Sequence, residues 1–217
     1  MKKPKYIEVF GKKGEVTNVK NLIPLNSDTD YGNLELKILS VAQSTEYINS
    51  RIDSVWRKFS RIRSKTSNPI ELMLNSRNIP LMMRDTEVVI YFIKRTIDDM
   101  ISLIYILDND FPEKIKIDSI GRLLENKVNK NLRYLKGRHK DSLKLLNKVA
   151  NSYKHSFVNY DKAYTAIGRE EPYVFSVTSP HNDLNKPVEF SFIALNEIVS
   201  ISEEFLVDAK KVLTDRK

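Results

Sequence analysis

The stretch Leu34–Ile62, LELKILSVAQSTEYINSRIDSVWRKFSRI, decides the fold of this chain. Its apolar residues recur in steps of three and four, with one gap at Thr45, which is the spacing of one side of an α-helix over about eight turns. The members of this stripe are Leu34, Ile38, Val41, Ile48, Ile52, Val55, Phe59 and Ile62. Such a helix must bury its stripe against other elements, so the sequence predicts a helical bundle.

The rest of the chain predicts partners for this first helix. The first helix ends near Pro69, because the residue before a proline is pushed out of the helical region. Asp118 is expected to cap the third helix, and Gly137 to end it. The further predicted helices cover about 83–107, from Asp118 to before Gly137, about 140–158 and about 195–213.

After Gly168 the apolar period changes from helical to alternating. The segments Tyr173–Thr178 and Val188–Ile193 are rich in aromatic and β-branched residues, and Ser179–Asp183 between them is typical of a turn. The pattern predicts a β-hairpin within residues 172–193, inserted before the last helix.

The predicted fold class is therefore mainly α, an antiparallel four- to five-helix bundle with a β-hairpin before its C-terminal helix. Residues 34–217 form the bundle domain. Residues 1–33 are predicted to be an N-terminal extension with a short β-ribbon around Gly11–Gly14.

Composition excludes several classes of protein. The chain has no cysteine, which excludes disulfides, thiolate metal ligands and a cysteine nucleophile. Its basic N-terminus continues into Ile7–Gly11 rather than into the apolar run of a signal peptide. The most apolar window, Val88–Leu107, contains four charged residues, so we expect no membrane span and a cytoplasmic protein.

The net charge of +8 attracts polyanions in general. Basic residues cluster without an acidic one at Arg57, Lys58, Arg61, Arg63 and Lys65. Such a cluster can follow a nucleic-acid backbone. A solvated helix end, favoured by the helix dipole, explains the same cluster.

Charged residues also interrupt the apolar second helix at Arg95, Asp98 and Asp99. Charges in such a segment are costly unless they are paired or solvated. We expect a structural polar pair in which Arg95 bridges to Asp98 or Asp99.

The usual catalytic signatures do not occur in the sequence. It has no glycine-rich phosphate loop, nucleophile elbow or paired-histidine zinc helix. The three histidines, His139, His155 and His181, are too scattered to indicate a metal site. We therefore expect neither a metal nor a cofactor.

One polar stripe lies late in the predicted bundle. At about 100° per residue, Asn151 and His155 lie one turn apart, and Lys144 and Lys148 extend the same stripe. It lies nearly opposite the apolar side formed by Leu143, Leu146, Ala150, Tyr153 and Phe157. His155 therefore faces either water or a second interface.

This arrangement resembles the HEPN superfamily, whose members are compact helical bundles with a motif late in the bundle. That motif is an arginine, then a polar residue, then a histidine four to six residues after the arginine. Asn151 fits the polar position and His155 the histidine, whereas Ala150 stands where the family has the arginine.

The resemblance implies a function and site residues. Active members are metal-independent ribonucleases that pair two motif helices across a dimer. By this resemblance His155 would be the general acid or base, Asn151 would orient a phosphate, and Lys154 or Lys148 would offset its charge. Because Ala150 cannot support a phosphate, we expect a homodimer that binds RNA or nucleotides, with weak or no cleavage.

Other functions remain open at this point. Asn151 and His155 also fit a surface polar pair or an internal strut to the hairpin. The helix faces and the apolar hairpin are equally compatible with a non-catalytic scaffold for protein partners, or with a toxin/antitoxin or immunity-type partner.

Overall fold

A computed structural model of the protein describes residues 1–15, 23–64, 78–128, 130–155, 170–178 and 189–215, except for the side chains of Asn78, Lys154, His155 and Thr178. Over these ranges the elements in chain order are α1 (Leu34–Arg63), α2 (Asn78–Asp108), α3 (Ile120–Glu125), α4 (Lys130–His155), β1 (Tyr173–Thr178), β2 (Glu189–Ala194) and α5 (Leu195–Thr214). The chain is mainly helical, with the hairpin directly before the C-terminal helix, so the predicted fold class is confirmed.

The first helix buries its whole predicted stripe. All eight apolar residues from Leu34 to Ile62 are buried, and so is Thr45 at the gap. The Thr45 hydroxyl donates to the Ala42 carbonyl at 2.7 Å, so a polar residue fits the stripe without a lost hydrogen bond. At the N-terminus the Asn33 side chain accepts from the Leu36 amide at 3.0 Å, which caps the helix.

The second helix begins earlier than predicted, at Asn78 rather than Met83. Pro80 lies within its first turn, where a proline is tolerated because the amide it lacks has no partner inside the helix. The predicted start at about Met83 was wrong because a proline in the first turn does not prevent the helix from beginning before it. α1 ends at Arg63, and Pro69, where the end of the helix was predicted, lies outside the described residues.

The third helix is shorter than predicted and is capped by another residue. It spans only Ile120–Glu125, and the Ser119 side chain, not that of Asp118, accepts from the Arg122 amide at 3.4 Å. The Asp98 carboxylate of α2 accepts from the Ile120 amide at 2.8 Å. The start of this helix is thus held by a side chain distant in sequence, which local patterns do not reveal.

The predicted break at Gly137 is a kink inside α4. Gly137 is not among the glycines with a positive φ, so it does not provide the left-handed residue that commonly ends a helix. The irregular residue is His139, with φ −112° and ψ 17°. The boundary between the predicted third and fourth helices therefore lies before Lys130, and α4 continues through Gly137.

Around Gly11–Gly14, where a short β-ribbon was predicted, the described residues form turns, and residues 16–22 lie outside the described part of the chain. The Gly11 amide donates to the Glu8 carbonyl at 2.9 Å and the Glu15 amide to the Lys12 carbonyl at 2.8 Å, so these backbone groups are satisfied locally. Phe10 is fully buried, as is Ile7. These two side chains are therefore part of the buried core.

By its contacts the chain divides into two compact units. The first unit contains residues 1–6, 48–91 and 148–200, and the second contains residues 7–47, 92–147 and 201–217. Buried residues of the first unit include Ile52, Phe59, Ile90, Val174 and Ile198. Buried residues of the second include Phe10, Ile38, Ile97, Leu143 and Phe205.

The two sides of α1 are expected to respond differently to truncation. Ile52 is fully buried, whereas Leu36 is 61% exposed. Ile52→Ala should lower the free energy of unfolding by about 2–5 kcal/mol, because it removes packed methyl groups and leaves a cavity. Leu36→Ala should change it by less than about 0.5 kcal/mol. Urea unfolding followed by circular dichroism measures both, and equal losses would contradict the burial of this stripe.

Candidate nucleic-acid interface

The polar stripe predicted on α4 is exposed at its first residue and becomes half-buried toward the C-terminal end of the helix. Lys144 is exposed, whereas Lys148 and Asn151 are half-buried. On the other side Leu143, Leu146, Val149 and Ala150 are buried. The side chains of Lys154 and His155 lie outside the described residues. Of the three predicted catalytic residues, only Asn151 therefore has a described side chain.

Near its C-terminal end α4 contacts the hairpin. The Lys148 ammonium lies 2.5 Å from the Glu189 carboxylate of β2, and this pairing lowers the pKa of Glu189. The Tyr153 hydroxyl donates to the Phe175 carbonyl of β1 at 3.5 Å. Burial raises the pKa of Tyr153 well above its ordinary range, and the negative charge of Glu87 adds to this rise. Lys148, a predicted phosphate ligand, is thus engaged with a carboxylate.

Two other segments of the first unit hold the hairpin from its start. The Leu195 amide donates to the Pro172 carbonyl at 2.9 Å, and the Lys2 amide to the Glu170 carbonyl at 2.9 Å. The Lys2 ammonium pairs with Glu171 at 2.5 Å. These contacts fix the base of β1 to the N-terminal residues and to the first residue of α5.

The register of the hairpin gives it two different faces. Its strands pair antiparallel from Tyr173 opposite Ala194 to Thr178 opposite Glu189. Because alternate residues of a strand point to opposite faces, one face bears Val174, Ser176, Ser191 and Ile193, all buried. The other face bears Tyr173, Phe175, Val177, Phe190, Phe192 and Ala194, and of these Val177 is buried.

The aromatic side chains of that second face form two stacked pairs. The ring centroids of Tyr173 and Phe192 lie 4.5 Å apart with planes 15° apart, and those of Phe175 and Phe190 lie 5.8 Å apart with planes 26° apart. Phe190 is 65% exposed and Phe192 46% exposed. We call these four residues the aromatic face. The alternating pattern in the sequence predicts that the aromatic residues of each strand share one face. It does not predict which ring of β1 contacts which ring of β2, because that depends on the register of the strands.

In the basic cluster of α1, some side chains form ion pairs inside the protein and others are exposed to solvent. Lys58 pairs with the buried Asp85 of α2, and the Arg51 guanidinium lies 3.5 Å from the same carboxylate. Arg57 and Arg61 are exposed. Lys65 lies outside the described residues. Lys58, predicted to contact nucleic acid, is therefore an internal ion-pair partner, whereas Arg57 and Arg61 point to solvent.

The Asp85 carboxylate is a charged group inside the first unit. Burial disfavours its charged form, but the hydrogen bonds from Lys58 and Ser54 and the charges of Lys58 and Arg51 together outweigh burial and lower the pKa of Asp85. The carboxylate is therefore ionised at neutral pH and fixes the Lys58 side chain.

The polar pair predicted on α2 has a different composition. Asp98 pairs with Lys94 at 2.6 Å, one turn before it, instead of with Arg95. Burial still raises the pKa of Asp98. Arg95 is exposed and attracts Asp99, whose pKa burial raises. Arg95 thus interacts with Asp99, the second of the two predicted partners, whereas Lys94 is the residue that reaches Asp98.

A buried histidine of the second unit was not foreseen as an interacting group. The His139 Nε2 lies 2.7 Å from the Asp208 carboxylate, which also pairs with Arg138 at 2.7 Å. The Phe205 ring packs edge-on against His139, with centroids 5.5 Å apart. No sequence motif links residues 139 and 208, so only the structure brings them together.

In the described part of the chain, no group of three or more histidine and acidic side chains is placed to hold a metal ion. No helix in that part is both long enough and apolar enough to cross a membrane.

Comparisons of the chain with protein-family models, curated proteins and solved structures found no match. The HEPN resemblance therefore rests on the bundle architecture and on Asn151 and His155.

The Asp85 cluster predicts a pH-dependent stability. Asp85→Asn should lower the free energy of unfolding by about 2 kcal/mol at neutral pH, because Lys58 and Arg51 lose a buried counter-charge. Since the folded-state pKa of Asp85 is lowered, the wild-type advantage is present above the ordinary carboxyl pKa and disappears as the pH falls through the folded-state value.

Urea unfolding of wild type and variant between about pH 2 and pH 7 measures this difference. Asp141→Asn, at an exposed position of α4, is the matched control and should have little effect at any pH. A constant difference between wild type and Asp85→Asn across the range would contradict the charged cluster.

Proposed function

We propose that this chain is a HEPN-like helical protein that binds RNA or nucleotides through its first unit, and that binding rather than cleavage is its activity. The observation that carries the proposal is the pair Arg57 and Arg61, exposed one turn apart on α1 while the adjacent Lys58 is neutralised by Asp85. Most of the net charge of +8 comes from residues of the first unit.

Two guanidinium groups in this arrangement suit a phosphate backbone. Residues four apart on a helix are separated by about 6 Å along its axis, so Arg57 and Arg61 can contact neighbouring phosphates of one strand. Each guanidinium can donate two parallel hydrogen bonds to one phosphate. Such contacts bind without reading sequence and weaken as salt rises.

Binding without cleavage follows from the motif helix. Ala150 takes the place of the family's arginine and is itself buried, so this position offers no group to a phosphate. Asn151 is half-buried on the adjacent side. By analogy with the HEPN group, two copies of α4 would meet in a homodimer, and this is part of the proposal.

Removal of the two arginines should weaken RNA binding and reduce its salt dependence. For an unstructured RNA of about 12 nucleotides, the plot of log affinity against log salt should lose about 0.7 in slope per lost phosphate contact in Arg57→Gln/Arg61→Gln. Fluorescence anisotropy of labelled RNA at several salt concentrations measures both affinity and slope.

The matched control is Arg95→Gln/Arg122→Gln, which removes the same charge from exposed positions of the second unit. It should retain most of the affinity and the slope. If wild type shows no binding, or binding that does not respond to salt, the proposal fails and a protein-binding scaffold becomes the better explanation.

Cleavage of RNA is expected to be negligible. Wild type and His155→Ala, incubated with mixed RNA in the presence of EDTA, should both leave the RNA intact, because Ala150 provides no phosphate-supporting group. Gel electrophoresis of the RNA over time measures this. Cleavage by wild type that His155→Ala abolishes would contradict it and would identify His155 as the catalytic residue.

A further inference from the structure

A row of four cations, with one glycine among them, follows the exposed side of α4 in the second unit. Its members are three or four residues apart, so they share one side of the helix over about 21 Å. All of them are exposed to solvent. The row consists of Lys130, Arg133, Gly137, Lys140 and Lys144, and we call these five residues the basic row.

The cations of the basic row take little part in the internal contacts of the protein. Among the described residues, the ammonium groups of Lys130, Lys140 and Lys144 form no ion pair and no hydrogen bond. Arg133 donates its Nε–H to the Val128 carbonyl at 3.1 Å, and its terminal N–H groups have no partner in the same part of the chain. The charges of the basic row are therefore not paired by the residues that the structure describes.

The stability of α4 does not explain this arrangement. Lys130 and Arg133 lie in the first turn of the helix, which has no acidic residue, although the helix dipole favours negative charge there. Lys140 and Lys144 are four residues apart, where two like charges repel each other. The cluster at the end of α1 differs, because the dipole favours cations at a C-terminal end.

The fold does not require the glycine of the basic row either. Gly137 has no positive φ, and His139 is the residue of α4 whose dihedral angles are not helical. A Cβ added at Gly137 would meet no atom of the described residues within 4 Å. Alanine therefore fits at this position and would favour the helix more than glycine does. A glycine where alanine fits allows a ligand to approach the helix backbone closely.

We propose that the basic row binds the phosphate backbone of RNA, and that this backbone crosses α4 at Gly137, where no side chain stands in its way. The inference rests on the proposed function, because it concerns the same ligand. It adds a second contact surface, in the second unit, to the arginine pair of α1.

The composition of the basic row favours a nucleic acid over a protein partner. A nucleic acid repeats its charge along its length, as the row does, and interfaces with nucleic acid are strongly positive. Interfaces between proteins have an apolar core and are depleted in lysine. The row contains three lysines and no apolar side chain, and Asp141 is the only acidic residue of α4.

The charge of the row is tested in the variant that lacks both α1 arginines, so that the α1 contacts do not mask the result. In this background Lys140→Gln/Lys144→Gln should weaken the remaining RNA binding at least about tenfold and lower the salt slope by about 0.7 per lost phosphate contact. Fluorescence anisotropy of a labelled unstructured RNA measures both. The matched control is Lys12→Gln/Lys37→Gln, at exposed positions of the second unit outside α4, which should change binding less than about twofold.

The close approach at Gly137 is tested by adding a side chain there. Gly137→Ala should raise Tm by about 2–4 °C, because alanine has the higher helix propensity, and should nevertheless weaken RNA binding. Gly137→Leu should weaken binding further, at least about fivefold, because its side chain holds the RNA away from the helix. Circular dichroism measures Tm, and anisotropy measures binding. Gln43→Leu, at an exposed position of α1 in the second unit, is the control for an added apolar side chain.

The outcomes separate this proposal from the proposed function. If the lysine variant binds RNA like its control, the basic row is not an RNA surface, and the proposed function stands with α1 alone. If both Gly137 variants bind like wild type, the crossing at Gly137 is wrong. If the lysine variant loses binding while removal of the α1 arginines costs nothing, the basic row is the site and the arginine pair is not. If wild type binds no RNA, both proposals fail, and a protein partner or solvent covers the row.

Discussion

Burial of one apolar stripe on every long helix is the interaction on which the rest of this structure depends. On α1 the stripe is continuous from Leu34 to Ile62 and includes Thr45, whose hydroxyl bonds within its own helix. Because a helix can turn only one side inward, its charged residues are directed outward or into ion pairs with neighbouring helices. This constraint determines which charges remain available to a ligand.

Apolar periodicity predicted the fold class because it is a local property of the chain. It identified α1, α2, the two strands and α5, and it placed the hairpin before the last helix. It did not predict the start of α3 or the kink of α4, because a residue distant in sequence determines each of them. Asp98 of α2 holds the start of α3, and Asp208 of α5 holds His139 at the kink of α4. No pattern within about ten residues of either site contains that information.

The candidate site was predictable only in part for the same reason. The sequence groups Arg57, Lys58 and Arg61 as one basic cluster, whereas the buried Asp85 removes Lys58 from it. Asp85 lies 27 residues away from Lys58, on another helix. Likewise Lys148 belongs to the predicted polar stripe of α4, yet it pairs with Glu189 across to β2. Exposure, not residue type, therefore distinguishes a cation that can meet a phosphate from one that stabilises the fold.

Exposure also determines how much the side chains of the aromatic face contribute to the stability of the fold. Full burial of a phenylalanine side chain contributes about 1.5–3 kcal/mol, and Phe190 forgoes much of that contribution in the free protein because it is 65% exposed. Phe190 is thus an apolar side chain at the surface, stacked on the Phe175 ring of the neighbouring strand. The strand pair that carries it is held by the hydrogen bond from the Tyr153 hydroxyl to the Phe175 carbonyl and by the bonds of the Leu195 and Lys2 amides to residues just before β1. The position of the hairpin therefore depends on its contacts with the rest of the first unit, and not on the burial of Phe190.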